Sequence, residues 1–348
     1  MLNPIQKLNN KIFDADVEQI SMRKGFGEGL VLAGENDPNV VGLCADLTES
    51  VQMHLFQKKF PDRFVQVGVA EQNLATVASG MAAMGKISFV GSYAVFSPGR
   101  NWEQIRTTIC YNNQNVKIIG SHVGVNVGAD GGSHQALEDI ALTRVLPRMT
   151  VISPCDAIEA KKATMAAAKI KGPVYIRLAR EKSPIITTEE TPFEIGKAQI
   201  VWQGGQASGL GQEIEIIQSR VGIVATGALL HNALIAAREL GKEGIMVTVM
   251  NLATIKPFDG AAILDLAKAT GAIVTVEEHQ IAGGMGSAVA EFLAQNNPTP
   301  IEFVGVTDQF GQSGTVKELI EHYGMGVEHI KSAVKKVLTR KRLDTNQK

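Results

Sequence analysis

The sequence predicts an α/β protein in which helices pack on mostly parallel sheets. Short β-branched or apolar runs alternate along the chain with stretches of helical length, which is the pattern that βαβ units produce. The composition agrees, because aromatic residues make up 5% of a chain that contains 35 glycines, and small residues let helices pack closely on a sheet. A chain of 348 residues is long enough for two domains.

The first half of the chain contains strands separated by helices, which implies a parallel sheet. The predicted strands are Val40–Cys44, Phe64–Val67, Ile87–Val90, Val116–Gly120, Thr150–Ser153 and Val174–Leu178. Two helices are predicted with them, Gln72–Met84 and Asp156–Lys171. Apolar residues recur at helical spacing in the first, whereas Pro154 begins and Gly172-Pro173 ends the second.

The alternation stops in the Pro- and Gly-containing interval 181–218, which predicts an exposed connector with one hairpin. It then resumes with Val221–Ala225, His231–Leu240, Met246–Asn251, Asp259–Ala269, Ala272–Glu277, Gly286–Ala294 and Glu302–Val306, read as strands and helices in turn. We therefore predict an N-terminal extension (1–19), a first domain (20–185), a linker (186–218), a smaller α/β domain (219–340) and a frayed, charged tail (341–348).

Composition excludes several functional classes. Thirty-four basic residues nearly balance 35 acidic ones, whereas a nucleic-acid-binding protein should carry a basic surplus. No apolar run approaches the roughly 20 residues that span a bilayer, and the N-terminal segment lacks the apolar core of a signal peptide. The three cysteines (Cys44, Cys110 and Cys155) are far apart, which argues against disulfides or a zinc site and favours the cytoplasm.

Polar residues follow four of the predicted strands, where ligands of parallel sheets bind. Asp46 and Ser50 follow the first strand, and Glu71 begins the helix after the second. Tyr93 and Phe96 follow the third strand and would provide an apolar platform for a heteroaromatic ring. Each of these residues also has a purely structural interpretation. Asp46 would cap a helix, Glu71 would be a charge at a helix N-terminus, and the aromatic pair would pack in the core.

The stretch after the fourth strand, residues 121–135, is the strongest candidate for a functional loop. It holds four glycines, the histidines His122 and His134, and Asp130, a composition poorly suited to a core. The two histidines are too far apart to form a recognisable metal motif. Arg177 and Arg180, at the end of a later strand, would hold an anion or a surface carboxylate, and we interpret 277–286 as a packed loop or a subunit contact.

Taken together, three motifs of the chain resemble the transketolase family. They are Ala45-Asp46-Leu47-Thr48, Gly68-Val69-Ala70-Glu71-Gln72 and Gly128-Ala129-Asp130-Gly131-Gly132-Ser133-His134-Gln135. The resemblance covers nearly the whole chain and is to the C-terminal half of the enzyme, of the kind split into two polypeptides. It implies a pyrimidine-binding domain of the thiamine-diphosphate fold, with a parallel sheet between helices, followed by the family's smaller α/β C-terminal domain.

The resemblance also implies a role for each candidate residue. Glu71 is similar to the glutamate that hydrogen-bonds the aminopyrimidine of thiamine diphosphate, Tyr93 and Phe96 to the aromatic pair that holds this ring, and Asp46 to a residue near the cofactor at the subunit contact. Asp130 and His134 are similar to residues that bind substrate hydroxyls and the carbonyl. The residues similar to those that bind the sugar phosphate are Arg23, Ser50, His122 and Arg180. The family's third aromatic has no counterpart because the spacing is shifted by about one residue, and Trp102 is its candidate replacement.

The cofactor implies a partner. Thiamine diphosphate enzymes bind the diphosphate through Mg²⁺ or Ca²⁺ held by a Gly-Asp-Gly motif, which this sequence lacks. We therefore predict no metal ligand here and an N-terminal subunit that carries the motif, in an α2β2 heterotetramer acting on phosphorylated sugars of the pentose phosphate pathway.

Three functions follow as hypotheses. The first is a transketolase, a transferase of two-carbon ketol units from a ketose phosphate to an aldose phosphate. The second is the β subunit of another thiamine diphosphate enzyme, either a 2-oxo acid dehydrogenase or a deoxyxylulose-phosphate-synthase-like protein. The third is a non-catalytic binding or regulatory subunit, against which the presence of Glu71 argues.

Overall fold

The computed structural model describes residues 1–204 and 220–346, with side chains as far as residue 341. Its strands are β1 (Gln19–Ser21), β2 (Val40–Cys44), β3 (Phe64–Gln66), β4 (Ile87–Tyr93), β5 (Val116–Ser121), β6 (Thr150–Ile152), β7 (Val174–Leu178), β8 (Lys182–Pro184), β9 (Gln199–Gln203), β10 (Arg220–Ala225), β11 (Met246–Asn251), β12 (Thr254–Lys256), β13 (Ile273–Gln280) and β14 (Ile301–Val306). Its helices are α1 (Met22–Asn36), α2 (His54–Lys59), α3 (Glu71–Ala83), α4 (Trp102–Gln104), α5 (Asp139–Arg144), α6 (Ala157–Lys169), α7 (Leu230–Lys242), α8 (Gly260–Thr270), α9 (Met285–Asn296), α10 (Val316–His322) and α11 (Val327–Asn346).

The first domain is built on a sheet that, within the described residues, has seven strands in the order β12-β6-β7-β5-β4-β2-β3. Every pair from β6 to β3 is parallel, which confirms the predicted α/β class. The edge strand β12 comes from the second half of the chain and pairs antiparallel with β6. This strand was not predicted. It has only three residues and pairs with a strand about 100 residues earlier in the chain, so the local sequence shows no strand pattern.

The second domain has a sheet of five described strands in the order β14-β13-β10-β11-β9. Its inner pairs are parallel, and β9 pairs antiparallel with β11 at the edge. The predicted connector is therefore wrong where β9 lies, because that segment belongs to this sheet. The predicted hairpin is also absent from the described part of the connector, since β8 pairs with β1 instead. Residues 205–219 of the connector lie outside the described residues.

The predicted extension packs against the second domain, and the predicted tail continues a helix. Ile12 is fully buried in the apolar core of that domain, and Asn3 donates its backbone N–H to the carbonyl of Val201 at 3.0 Å. The predicted frayed tail is wrong as far as Asn346, because α11 continues to that residue. In the part of the chain that the structure describes, no helix has the length and apolar character needed to cross a membrane.

The sequence explains how α3 and α6 are placed. Leu74, Ala75 and Ala78 form a buried stripe on α3, and this apolar face fixes the helix against the sheet. Asp156 caps α6 by accepting the backbone N–H of Glu159 at 2.8 Å. Because α3 begins at Glu71, packing of the helix also fixes the position of that carboxylate.

Candidate active site

The predicted site residues lie along one edge of the first sheet. Strands β7, β5, β4, β2 and β3 are parallel neighbours in that order, so their carboxyl ends meet at this edge. Along it follow Arg180 after β7, His122 after β5, Tyr93 at the end of β4, Asp46 after β2 and Glu71 after β3. The alternation of strand and helix thus brings together residues that are widely separated in the sequence.

Glu71 is a buried carboxylate beside a cavity. It begins α3 and is 2% exposed, and the positive end of the helix dipole stabilises a carboxylate at this position. Its Oε2 accepts from Nη1 of Arg100 at 3.1 Å, and Asn101 holds its backbone carbonyl through Nδ2 at 2.9 Å. A cavity of about 280 Å³ is lined by residues 69–73 and Arg100. The carboxylate is therefore fixed at a place where a ligand can reach it.

Aromatic and imidazole rings form a cluster next to this carboxylate. The Tyr93 ring stacks on the His122 ring with centroids 3.7 Å apart, and the Phe96 ring lies 6.2 Å from Tyr93 in a stacked arrangement. The His134 ring meets both edge-on, at 6.2 Å and 5.7 Å. The Arg100 guanidinium lies 5.0 Å from the Phe96 ring centroid, and Arg100 thereby links this cluster to Glu71.

His122 is held in its neutral form. Burial lowers its pKa to about 3, together with the positive charges of Arg23 and Arg180 and a smaller effect from His134. The hydroxyl of Ser121 lies 2.7 Å from Nδ1 of His122. At neutral pH this imidazole is therefore a hydrogen-bonding group without charge.

Two arginines converge beside His122. Arg23 donates to the backbone carbonyls of Ser50 at 2.6 Å and of Arg180 at 2.7 Å, and burial together with the Arg180 charge lowers its pKa. Arg180 lies 3.6 Å from Asp130 and 3.7 Å from Glu181. Two partly exposed guanidinium groups held close together can bind a dianion such as a phosphate through charge-assisted hydrogen bonds.

Two predicted residues stand apart from this cluster. Asp46 is exposed and donates its backbone N–H to Oε1 of Gln66 at 2.7 Å; the contacts of the described residues do not connect its side chain with the rings or the arginines. Trp102 donates its indole N–H to the carbonyl of Leu142 at 2.6 Å and packs on the core of the first domain. Among the ring contacts of the described residues, none joins Trp102 to Tyr93 or Phe96, and its role as a replacement for the third aromatic stays a prediction.

Arg100 was missed in the sequence. It ends the stretch Phe96-Ser97-Pro98-Gly99-Arg100, which folds back so that its side chain reaches Glu71. The only available signal was an arginine close to the aromatic pair. Arg177, considered as an anion ligand, is buried and paired with Asp139 at 2.8 Å, so it is not available to a ligand.

Comparisons with known proteins identify the family. Residues 18–185 match the pyrimidine-binding domain of transketolase, and residues 212–330 match the transketolase C-terminal domain. The chain belongs to the transketolase family.

Its relatives include chains of similar length. A protein of Methanocaldococcus jannaschii, provisionally described as a transketolase C-terminal section, is 43% identical over 89% of this chain and 93% of its own. A 6-deoxy-6-sulfo-D-fructose transketolase subunit of a Clostridium species (strain MSTE9) is 38% identical over 95% of this chain and 99% of its own. A solved split-gene transketolase, described as an inactive β4 tetramer, superposes with a TM-score of 0.83 at 43% identity and covers 92% of this chain and 99% of its own.

Proposed function

We propose that this chain is the C-terminal subunit of a thiamine-diphosphate-dependent transketolase that transfers a two-carbon ketol unit from a ketose phosphate to an aldose phosphate. The observation that carries the proposal is the buried carboxylate of Glu71, fixed at the start of α3 beside a cavity. The ring cluster and the two arginines continue from it along the same sheet edge. The names of the relatives support ketol transfer over the alternative of a 2-oxo acid dehydrogenase subunit.

The residues present fit the aminopyrimidine part of the cofactor. The Glu71 carboxylate would hold it by accepting a hydrogen bond from the ring, and the faces of Tyr93 and Phe96 would contact the ring. When bound, thiamine diphosphate supplies the nucleophilic carbon and the electron sink for the reaction. Arg100 keeps the Glu71 carboxylate oriented from the side, and the N-terminal end of α3 favours its negative charge.

The substrate would lie between the ring cluster and the arginines. Arg23 and Arg180 would bind the phosphate of the sugar, with Ser50 and the neutral imidazole of His122 as hydrogen-bonding partners. Asp130 and His134 would hydrogen-bond the hydroxyl and carbonyl groups near the reacting carbons, since both lie on the loop that follows β5. These groups would position the sugar by their hydrogen bonds. At the same atoms they would also exchange protons with the sugar.

The cofactor's metal would be held by another polypeptide. The described residues contain no group of three His, Cys, Asp or Glu side chains that could hold a metal ion, and the sequence has no Gly-Asp-Gly motif. We therefore assign the diphosphate and its Mg²⁺ or Ca²⁺ to an N-terminal subunit, in an α2β2 assembly in the cytoplasm. Asp46 would lie near the cofactor at the contact between subunits, where its exposure leaves it accessible.

The experiment is to purify the untagged chain from its source and to identify the chain that accompanies it. The complex is then assayed for two-carbon transfer from xylulose 5-phosphate to ribose 5-phosphate with thiamine diphosphate and Mg²⁺. A companion with Gly-Asp-Gly together with transfer supports the proposal. Because one relative is named for a sulfonated sugar, 6-deoxy-6-sulfofructose is the matched second donor. Cofactor binding without transfer from either donor would contradict the substrate class, and no cofactor binding would contradict the function.

A further inference from the structure

The loop that carries Asp130 and His134 touches the second domain near both of its ends. We name residues 124–135 the glycine-rich loop and residues 307–315, which join β14 to α10, the brace. At the base of the glycine-rich loop, Gly124 donates its backbone N–H to the carbonyl of Ala136 at 2.8 Å. The second domain contacts the loop through Glu278 at its beginning and through the brace from Gly128 to Gln135.

Glu278 fixes the beginning of the glycine-rich loop. This residue lies on β13, is 3% exposed and accepts the backbone N–H of Asn126 with Oε1. Gly124 has a φ of +68°, and a Cβ there would lie 2.3 Å from the same oxygen, so only glycine allows the carboxylate to approach this closely. Asn126 in turn accepts the backbone N–H of Glu181 at 2.6 Å. The contact thereby connects Glu278 with the segment that bears Arg180.

Gln135 fixes the end of the loop. Its side chain is buried, and Nε2 donates to the carbonyl of Gly128 at 3.3 Å and to the carbonyl of Gln312 in the brace at 3.0 Å. A Cβ on Gly311 would lie 1.7 Å from Oε1 of Gln135, so the brace backbone presses directly on this amide. One side chain therefore joins the two domains and also ties the loop to itself.

The brace has a fixed position within its own domain. Gln280, at the end of β13, donates through Nε2 to the carbonyl of Gln309 at 2.6 Å and accepts the backbone N–H of Asp308 at 3.1 Å. The hydroxyl of Tyr323 donates to the carbonyl of Phe310 at 2.8 Å. Because β13 carries both Gln280 and Glu278, one strand of the second domain supports both contacts to the glycine-rich loop.

We propose that Glu278 and Gln135 are positioning residues through which the second domain sets the conformation of the glycine-rich loop, and thereby the places of Asp130 and His134. This inference rests on the proposed function for its effect on the substrate. The second domain would then determine how the donor sugar is bound without contacting the sugar itself. Since catalytic groups must be placed within a fraction of an ångström, loosening the loop should raise the KM for the donor.

The first experiment follows amide hydrogen exchange of the full chain, which needs neither partner nor activity. Gln135→Ala should accelerate exchange in residues 126–134 by roughly fivefold to tenfold, the effect expected from losing hydrogen bonds of ordinary strength. Gln312→Ala is the matched control, because the brace contact uses only the carbonyl of this exposed residue; it should leave exchange unchanged. Equal exchange in wild-type and Gln135→Ala chains would overturn the inference.

The second experiment measures the complex with its N-terminal partner. Gln135→Ala and Glu278→Leu should raise the donor KM roughly tenfold while leaving thiamine diphosphate binding within about twofold. Glu278→Gln should restore most of the wild-type KM, since it keeps an acceptor for the N–H of Asn126. A purely structural role would lower the melting temperature and weaken cofactor binding as well, and that result would contradict positioning. If the wild-type complex transfers no ketol unit, the proposed function fails. The hydrogen-exchange result would still show whether the second domain holds the glycine-rich loop in place.

A double variant tests whether the brace acts through Gln135. Gly311→Ala alone should accelerate exchange in the glycine-rich loop, because its new Cβ displaces the amide. In a Gln135→Ala background the same change should add less than twofold, since the overlapping atom is gone. Equal effects in both backgrounds would show that the brace reaches the loop by another route and would overturn this part of the inference.

Discussion

Arg177 lies on β7 and Arg180 lies two residues after that strand ends. Each arginine is paired with an aspartate, but the two pairs differ in their exposure to solvent. Arg177 and Asp139 are 3% and 1% exposed and 2.8 Å apart, and the aspartate also accepts from the hydroxyl of Tyr175 at 2.7 Å. Arg180 and Asp130 are 30% and 37% exposed and 3.6 Å apart. The first pair is enclosed within the chain and joins the domains, because Arg177 also donates to the carbonyl of Glu278 at 2.6 Å. The second pair is loose and open to a ligand.

The comparison teaches that the exposure of an ion pair separates structural charges from site charges better than residue type does. A buried ion pair loses hydration and is retained only when its partners are well placed. A half-exposed pair contributes little to stability and can exchange its partner for a substrate group. Glu71 belongs to the second group despite its burial, because its partner Arg100 is 52% exposed and a cavity adjoins it.

The largest effect should come from Glu71→Gln. We predict that turnover of the complex falls by roughly a thousandfold, within the range for loss of a group that controls proton transfer, while partner binding remains. The measurement is steady-state transfer at saturating cofactor, and exposed Glu49→Gln is the control. Turnover within threefold of wild type would show that Glu71 has no role in the reaction.

Asp139→Asn tests the buried pair. The substitution leaves the Arg177 guanidinium buried without its counter-charge, so the free energy of unfolding should fall by about 3–5 kcal/mol. Denaturant unfolding measures this change. The matched variant is Asp130→Asn, whose partner Arg180 can turn to water; it should cost less than about 1 kcal/mol. Equal losses for both variants would break the comparison.

Arg180→Met tests the open pair. We predict a donor KM at least about tenfold higher for a phosphorylated ketose, because one of two charge-assisted contacts to the phosphate is lost. The KM for an unphosphorylated ketose should change by less than twofold. Kinetics of the complex with both donors distinguishes the cases, and an equal rise for the two would show that Arg180 does not bind the phosphate.

The smallest effect concerns the pH dependence of stability and three buried carboxyls. Burial raises the pKa of Glu159, Glu277 and Glu278 to about 7. Such groups hold a proton in the folded chain at a pH where the unfolded chain has released it, so stability is lost as pH rises through 7. Burial lowers the pKa of Lys117 to about 7, which acts in the opposite direction. The contribution of one glutamate is therefore measured by comparing the wild-type chain with a variant of that residue.

Glu159→Gln should gain stability relative to wild type by about 1 kcal/mol between pH 6.5 and pH 8. The pH range begins at 6.5 because of two buried histidines, His122 and His279, whose pKa values burial lowers. Above the pKa of an unfolded histidine they no longer make stability depend on pH. Denaturant unfolding at the two pH values gives the difference. A constant difference would show that Glu159 is ionised throughout this range.

Local patterns in the sequence predicted most of the fold. The bounds of β2, β7 and β11 are as predicted, and the other predicted strands and helices differ by at most three residues at an end. These elements have strong apolar patterns, which a chain shows before it folds. Among the described strands, β1, β8, β9 and β12 were not predicted. Strand β12 was missed because it pairs with the sheet of the other domain, and β9 because it lies in the interval interpreted as a connector.

The candidate site was predictable where strand ends determine it. Tyr93, His122 and Arg180 follow neighbouring strands, so parallel topology alone brings them together. Arg100 and Gln135 act through tertiary contacts that no spacing reveals. The proposed roles of the site residues remain predictions that the variants above test.

The most direct measurement follows labelled carbon through the reaction. Xylulose 5-phosphate carrying ¹³C at its first two carbons is incubated with ribose 5-phosphate, thiamine diphosphate, Mg²⁺ and the complex, and the products are examined by NMR. Transfer of both labelled carbons together to the lengthened sugar is the result we predict, with no transfer by Glu71→Gln. Label that stays in the donor, while the same complex releases carbon dioxide from a 2-oxo acid, would contradict the account.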